Sequence, residues 1–257
     1  MFSGQMLNLM KSTAYIFKHV ARTTSKLVDF STCEISDALI KLKVPHGGYI
    51  PDINMLSPSP SSPSASSIRL CGPAYTVRMV MSSDVSAPKL SEHFVDTIPE
   101  GSVIVISAPP KAKNAVWGGL MTAGAKARSA KGVVISGRCR DLSEQRSQNF
   151  PVFARGHSTV GQSPFTRPSE INVPMVLSHI KWNAQSDTTD EDTFPGLTVH
   201  PGDWIVADED GVVCVPRVVE DEVIELAKTG RHIDDLCMKD IRAGKGVKAS
   251  FYLHRGK

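Results

Sequence analysis

The chain has 257 residues, 41% of them hydrophobic and 21% charged, which is enough to bury a sizeable core in one α/β domain. A formal charge of +3 is too small to argue for a nucleic-acid partner, and no apolar run approaches the roughly 18 residues needed to cross a bilayer. The five cysteines, Cys33, Cys71, Cys139, Cys214 and Cys237, form no CxxC pair and read as reduced, mostly buried thiols of an intracellular protein.

Residues 1–28 carry Lys11, Lys18, Arg22 and Lys26 with no acid before Asp29, interleaved with serines, threonines and apolar side chains. That composition suits a mitochondrial presequence, and equally a basic extension whose helix packs on the domain with Ile16, Val20 and Leu27 near one face. The domain proper is expected over 29–257. Ser31 or Thr32 is a helix-start signal for residues 32–43, and Pro45-His46-Gly47-Gly48 ends that helix. Asp37 on it reads as a buried, hydrogen-bonded acid in preference to one bordering the crevice. Residues 57–67 are a Ser/Pro-rich loop insertion with too little apolar content to order itself.

A strand is expected over 74–80 and a helix over 89–98. His93 is followed by Phe94, so there is no HExxH zinc motif, and His93 reads as a satisfied surface or core histidine. Val103–Ser107 is a short β-branched run that reads as a buried strand, residues 119–131 read as a helix of small side chains, and residues 133–136 as a second buried strand. Strand, crossover helix and strand make a βαβ unit with the two strands parallel.

This unit carries the chemistry. A helix that opens at Gly118-Gly119 presents free backbone N–H groups and the positive end of its dipole, a seat for an anion. Arg140-Asp141 follows the second strand at its carboxyl end, where open parallel sheets bind ligands. Arg supplies a planar fork for a carboxylate, and Asp is a hard oxygen ligand of the kind Mg²⁺ or Mn²⁺ accepts. A purely structural reading stands beside this one: Asp141-Leu142-Ser143-Glu144 also matches a capping box for a helix running towards Gln148, with Arg140 a solvated charge.

Gly156-His157-Ser158-Thr159-Val160 falls one glycine short of a nucleophile elbow, which argues against a serine hydrolase. Further strands are expected over 171–177, 205–207 and 211–216. The acids Asp187, Asp190, Glu191 and Asp192 belong to a solvated insertion near 184–195 that lacks the ordered spacing of a calcium loop. Residues 218–228 form a final amphipathic helix, and the basic tail 245–257 reads as surface.

Taken in order, Ile35-Ser36-Asp37-Ala38-Leu39, Gly72-Pro73-Ala74-Tyr75-Thr76-Val77, Pro99-Glu100-Gly101-Ser102-Val103, Ala115-Val116-Trp117-Gly118-Gly119, Gly132-Val133-Val134-Ile135-Ser136-Gly137-Arg138-Cys139-Arg140-Asp141, Phe150-Pro151-Val152-Phe153-Ala154-Arg155, Val199-His200-Pro201-Gly202-Asp203 and Asp210-Gly211-Val212-Val213 closely resemble the RraA-like family. The likeness is to its fungal branch of 4-hydroxy-4-methyl-2-oxoglutarate aldolases that also decarboxylate oxaloacetate, and it runs from about Asp29 to Gly246.

The resemblance implies a single three-layer α/β domain of swivelling-domain type around the parallel βαβ core, assembled as a homotrimer or homohexamer. It implies a lyase acting on a small 2-oxo acid, with Mg²⁺ or Mn²⁺ as cofactor and no membrane partner. The backbone of Gly118, Gly119, Leu120 and Met121 would hold the substrate carboxylate, Arg140 would pair with substrate oxygen, and Asp141 would bind the metal. Members often begin with a basic helix, which favours the cytoplasm over the mitochondrion. Bacterial members often carry an acid where this chain has Gly119, so the base for the aldol step must come from elsewhere. The candidates are a metal-bound hydroxide, or Glu220 or Glu222 of a neighbouring subunit. Some relatives instead regulate a ribonuclease by surface contact, which is the alternative function. A methyltransferase reading finds no support, since no GxGxxG follows the first strand.

Overall fold

The structure, a computed structural model, describes residues 23–62, 68–178 and 196–256. Most of the basic N-terminal segment, part of the Ser/Pro insertion and the acidic insertion lie outside the described residues. Leu27, which is described, is fully buried.

Eleven strands are found among the described residues: β1 (Asn54–Ser57), β2 (Leu70–Met81), β3 (Val103–Ser107), β4 (Ala115–Trp117), β5 (Gly132–Cys139), β6 (Val152–His157), β7 (Thr166–Ile171), β8 (Met175–Leu177), β9 (Leu197–Val199), β10 (Trp204–Asp208) and β11 (Gly211–Val215). The helices are α1 (Thr32–Lys41), α2 (Gly119–Ala127), α3 (Leu142–Ser147), α4 (Glu220–Arg242) and α5 (Val247–Arg255). The main sheet runs β1-β6-β5-β3-β2-β10-β11, with β4 beside β5 and β7 beside β2. Its centre is parallel, β2 with β3, β3 with β5 and β5 with β6, and its flanks are antiparallel. The expected βαβ unit is present as β3, α2 and β5.

The sheet is nearly closed. The Ile50 amide donates to the Val212 carbonyl at 2.9 Å and Tyr49 bridges Val213, so the segment just before β1 meets the far strand β11. The chain reaches that position through a tight turn in which His46, Gly47 and Gly48 all have positive φ. Only glycine fits at 48, because a Cβ there would run into the Cys214 carbonyl.

The alternation of strand side chains then divides the core. Val103 and Val105 of β3 face one cluster with Ile53, Val134, Phe153, Ile205 and Val212, enclosed by the curved sheet. Ile104 and Ile106 face a second cluster with Phe94, Trp117, Val133, Ile135 and Phe150, beneath α2. Both faces of β3 are therefore buried, which is why it reads as a continuous apolar run. Each of these four side chains is 0% exposed and contributes about 2 kcal/mol by burial. A third cluster packs α1 and α4 on β10 and β11 through Ile35, Leu39, Trp204, Val213 and Val223. The result is a mixed α/β domain with helices on both sides of the sheet.

Helix α1 begins at Ser31 with a complete capping box: Ser31 Oγ accepts from the Glu34 amide at 3.2 Å and the Ser31 amide donates to Glu34 Oε2 at 2.7 Å. Asp37, expected to be buried, is exposed on this helix. The helix expected over 89–98 reduces to a 3-10 turn at Phe94–Thr97: Phe94, Val95 and Ile98 are buried in the core and Leu90 packs partly against it, while Lys89, Ser91 and Glu92 stay exposed. The strand expected over 171–177 is two strands, broken where Asn172 takes a positive φ. The last helix extends well past residue 228 to Arg242, and the basic tail folds back as α5. Acids on α4 explain that return: Asp240 meets Lys245 and His254, and Asp234 meets Arg255. Cys71, Cys139, Cys214 and Cys237 are buried free thiols, while Cys33 is exposed.

Candidate active site

The parallel pairing of β4 with β5 builds the site. Ala115 lies opposite Arg138 and Trp117 opposite Cys139, so the residues that follow each strand, Gly118-Gly119 and Arg140-Asp141, emerge side by side. Trp117 is anchored by its indole N–H, which donates to Thr122 Oγ1 at 2.9 Å, and by stacking on Phe150 at 6.3 Å between ring centres. Around this turn lies a cavity of about 230 Å³ whose wall includes Gly118, Gly119, Leu120, Met121, Arg140 and Asp141. His93, Gln162 and Ser163 complete it from loops outside the βαβ unit.

Asp141 has φ 61° and ψ 44° and makes no side-chain cap to its own helix α3. Its Oδ2 instead accepts from the Gly119 amide at 3.0 Å, at the first residue of α2. The capping-box reading of residues 141–144 is therefore corrected: Asp141 serves the neighbouring helix, across the pocket. The expectation for Gly119 changes with it, since that amide already has an anionic partner. The amides of Leu120 and Met121 belong to the same first turn, which lacks intrahelical acceptors. Arg140 Nε stands 3.6 Å from Asp141 Oδ2, with about half of its side chain exposed, so the guanidinium is held near the carboxylate while its outer edge meets solvent. The Arg140 amide and carbonyl are both fixed, the first donating to Trp117 O at 2.9 Å and the second accepting from Gln145 Nε2 at 2.7 Å.

Close approach is the reason for the two glycines. A Cβ on Gly118 would stand 2.6 Å from Asp141 Oδ2 and 3.3 Å from Arg140 Cγ. A Cβ on Gly119 would collide with the Glu144 carboxylate, which therefore fills the space a side chain at 119 would enter. Glu144 was visible in the sequence only as the last residue of a capping pattern, and its place beside Gly119 depends on the β4–β5 pairing. Nothing local in the sequence marks Gln162 or Ser163. His93 does cap its own 3-10 turn, its Nδ1 accepting from the Val95 amide at 3.3 Å, and it also borders the pocket.

Glu220, a candidate base for a neighbouring subunit, is instead 3% exposed and accepts from Ser25 Oγ at 2.6 Å and from the Trp204 indole at 2.7 Å. It is a core acid, committed where it stands. Glu222 is exposed on α4. Among the described residues no three His, Cys, Asp or Glu side chains are grouped to hold a metal ion. A cage made wholly of protein ligands is therefore not formed within this part of the chain. The donors present fit a hard cation held through the Asp141 carboxylate that keeps waters and takes substrate oxygens, the habit of Mg²⁺.

A family model described as RraA-like (Aldolase/RraA) matches residues 32–214. The chain belongs to the RraA-like family. A relative from Halalkalibacterium halodurans, named "Putative 4-hydroxy-4-methyl-2-oxoglutarate aldolase", is 30% identical over 167 residues, 65% of this chain and 69% of that protein. Protein DlpA of Legionella pneumophila is 29% identical over 201 residues, which are 77% of this chain and only 28% of DlpA. Among solved structures, an uncharacterized protein from Pseudomonas syringae pv. tomato superposes with a TM-score of 0.66 at 28% identity, covering 86% of this chain and 92% of that one. RraAS2 of Streptomyces coelicolor, described as an unusual member of the RNase ES inhibitor RraA protein family, gives 0.62 at 20% identity over 81% and 91%. That likeness concerns the fold of RraA-like proteins. The RraA-like match spans both halves of the pocket, from β4 through α3, and also the closure of the sheet at β11.

Proposed function

We propose that the chain is a divalent-metal-dependent carbon–carbon lyase that cleaves 4-hydroxy-4-methyl-2-oxoglutarate to pyruvate and decarboxylates oxaloacetate, both through a pyruvate enolate. The observation that carries this reading is the convergence of Arg140, Asp141 and the α2 N-terminus on one cavity, with Asp141 bonded to the Gly119 amide. The aldolase names of several relatives support the same class of chemistry.

In this proposal the substrate carboxylate sits against the amides of Leu120 and Met121 at the positive end of α2, where an anion is favoured. Arg140 directs its fork at the 2-oxo oxygen, so that the negative charge developing there as the C–C bond breaks meets a guanidinium already in place. Asp141 orients the first turn of α2 and would hold Mg²⁺ or Mn²⁺ directly or through water. A bound divalent ion supplies Lewis-acid polarisation of the 2-oxo group. Decarboxylation then needs no protein base. Retro-aldol cleavage must also remove the proton of the 4-hydroxyl, and Glu144, whose carboxylate lies against Gly119, is the acid set to take it.

The test is pyruvate release from each substrate by purified protein with Mg²⁺ or Mn²⁺, measured against metal alone. Release above the metal-only rate, abolished by chelation, is expected. No excess with either substrate overturns the proposal.

A further inference from the structure

A second cavity, of about 390 Å³, opens at the carboxyl ends of β3 and β5 and shares no wall residue with the Gly118 pocket. Its wall includes three cationic side chains, Lys113, Arg138 and Arg155, against one carboxylate, Asp52, and the hydroxyl-bearing Ser136 and Ser178. Two positive charges are thus in excess in a concave space of the size that small ligands occupy.

The backbone is built to bring the two arginines together. Between the pairs Ile135–Ala154 and Arg138–Gly156, β5 advances by three residues and β6 by two, so Ser136 and Gly137 bulge opposite Arg155. In an unbroken ladder Arg155, adjacent to Gly156, would point to the face opposite Arg138; the bulge lets both reach one cavity. Gly137 permits it, since a Cβ there would stand 2.7 Å from that of Ala108. Arg138 is steadied by donating Nη1 to the His157 carbonyl at 3.0 Å, and Arg155 by donating Nη2 to the Ser178 carbonyl. The buried Nε of Arg155 has no acceptor among the described residues. Burial also lowers the Arg155 pKa, with only partial compensation from Asp52. A buried N–H without a partner is costly, and an oxyanion is the ligand that satisfies it.

We propose that this cavity is an anion site separate from the Gly118 pocket, taking a small doubly charged oxyanion, a phosphate or a dicarboxylate, between Arg138 and Arg155. The site is independent of the lyase reading.

Calorimetric titration of the full chain with inorganic phosphate, and separately with malonate, in chloride buffer tests it and tells the two sources apart. Binding of at least one titrant is expected, weakened about tenfold or more in R138Q and in R155Q, and tightened several-fold in D52N, which removes the opposing charge. Asp52 has φ 62°, a conformation asparagine tolerates, so D52N is expected to fold even if R155Q does not. Binding must also survive D141A, which alters only the other pocket. Binding of neither titrant, binding unchanged in both R138Q and D52N, or binding lost in D141A and kept in R138Q would each overturn the proposal.

Discussion

The Trp117 carbonyl accepts the Arg140 amide at 2.9 Å, and this bond joins the two sequence blocks that make the candidate active site. Gly118 follows one partner and Asp141 follows the other, so the spacing of the pocket is set by strand pairing rather than by loop conformation. Sites carried on paired strands hold their geometry more tightly than sites carried on loops.

Replacing Asp141 should separate its two roles. D141A is expected to lower pyruvate release by about 100-fold or more and to cost roughly 1 kcal/mol through the lost cap on α2. D141N keeps an oxygen for the Gly119 amide, so it should regain most of the stability and little of the activity. Steady-state assays and urea denaturation of both variants check this.

Gly118 has extended backbone angles, φ −154° and ψ −171°, that any residue can adopt, so its substitution tests space alone. G118A should still fold, with a stability loss of about 1 kcal/mol like that of D141A, because its methyl group displaces Asp141 Oδ2 and the Arg140 stem, raising KM and lowering kcat together. A G118A enzyme with unchanged kinetics would mean that these two side chains do not work where they stand.

Glu144 should matter to one reaction and not the other. E144Q is expected to slow cleavage of 4-hydroxy-4-methyl-2-oxoglutarate by about 100-fold, the usual worth of a general base, and to leave oxaloacetate decarboxylation within a few-fold of the parent. Equal losses in both would remove Glu144 from the proton transfer.

Stability in acid should depend on Glu34. Arg231 binds it through two nitrogens, Nε to Oε1 at 2.5 Å and Nη2 to Oε2 at 2.8 Å, and holds its pKa down at about 2. The unfolded value is about 4.3, so the folded state binds this proton less readily than the unfolded chain. The pair's stabilisation is therefore complete above about pH 4.3 and fades as pH falls towards 2. With both side chains partly exposed its size is about 1 kcal/mol. R231M should lose that amount at pH 7 and approach the parent near pH 2.5 in denaturant titrations.

Glu220 predicts a larger effect. E220A leaves the Trp204 indole N–H and the Ser25 hydroxyl without their acceptor inside the core, a loss of about 3 kcal/mol. E220Q, which keeps an acceptor, should lose less. Chemical denaturation of the two variants gives the comparison.

How far the fold was legible follows the range of the forces involved. The βαβ unit was readable because Val103 to Ile106 are buried on both faces and α2 is built of small residues, both local patterns. Helix α1 was readable from its cap. The tail was misread because Lys245, His254 and Arg255 look like solvated charges until α4 presents Asp234 and Asp240 to them. Strand β7 was missed because Pro168 interrupts its pattern, and it forms as a flanking partner of β2. In the site, Gly118, Arg140 and Asp141 were legible as chemistry, while the roles of Asp141 at the Gly119 amide and of Glu144 beside it required the pairing of β4 with β5.

The bridge from Tyr49 and Ile50 to β11 reaches beyond architecture. By engaging the far strand of the sheet it leaves little unpaired backbone there for another chain to extend by strand addition. At this seam, then, contact with another molecule is left to side chains rather than to an exchanged strand. Loss of the Gly48 turn would expose that seam, and its first symptom would be aggregation rather than loss of chemistry.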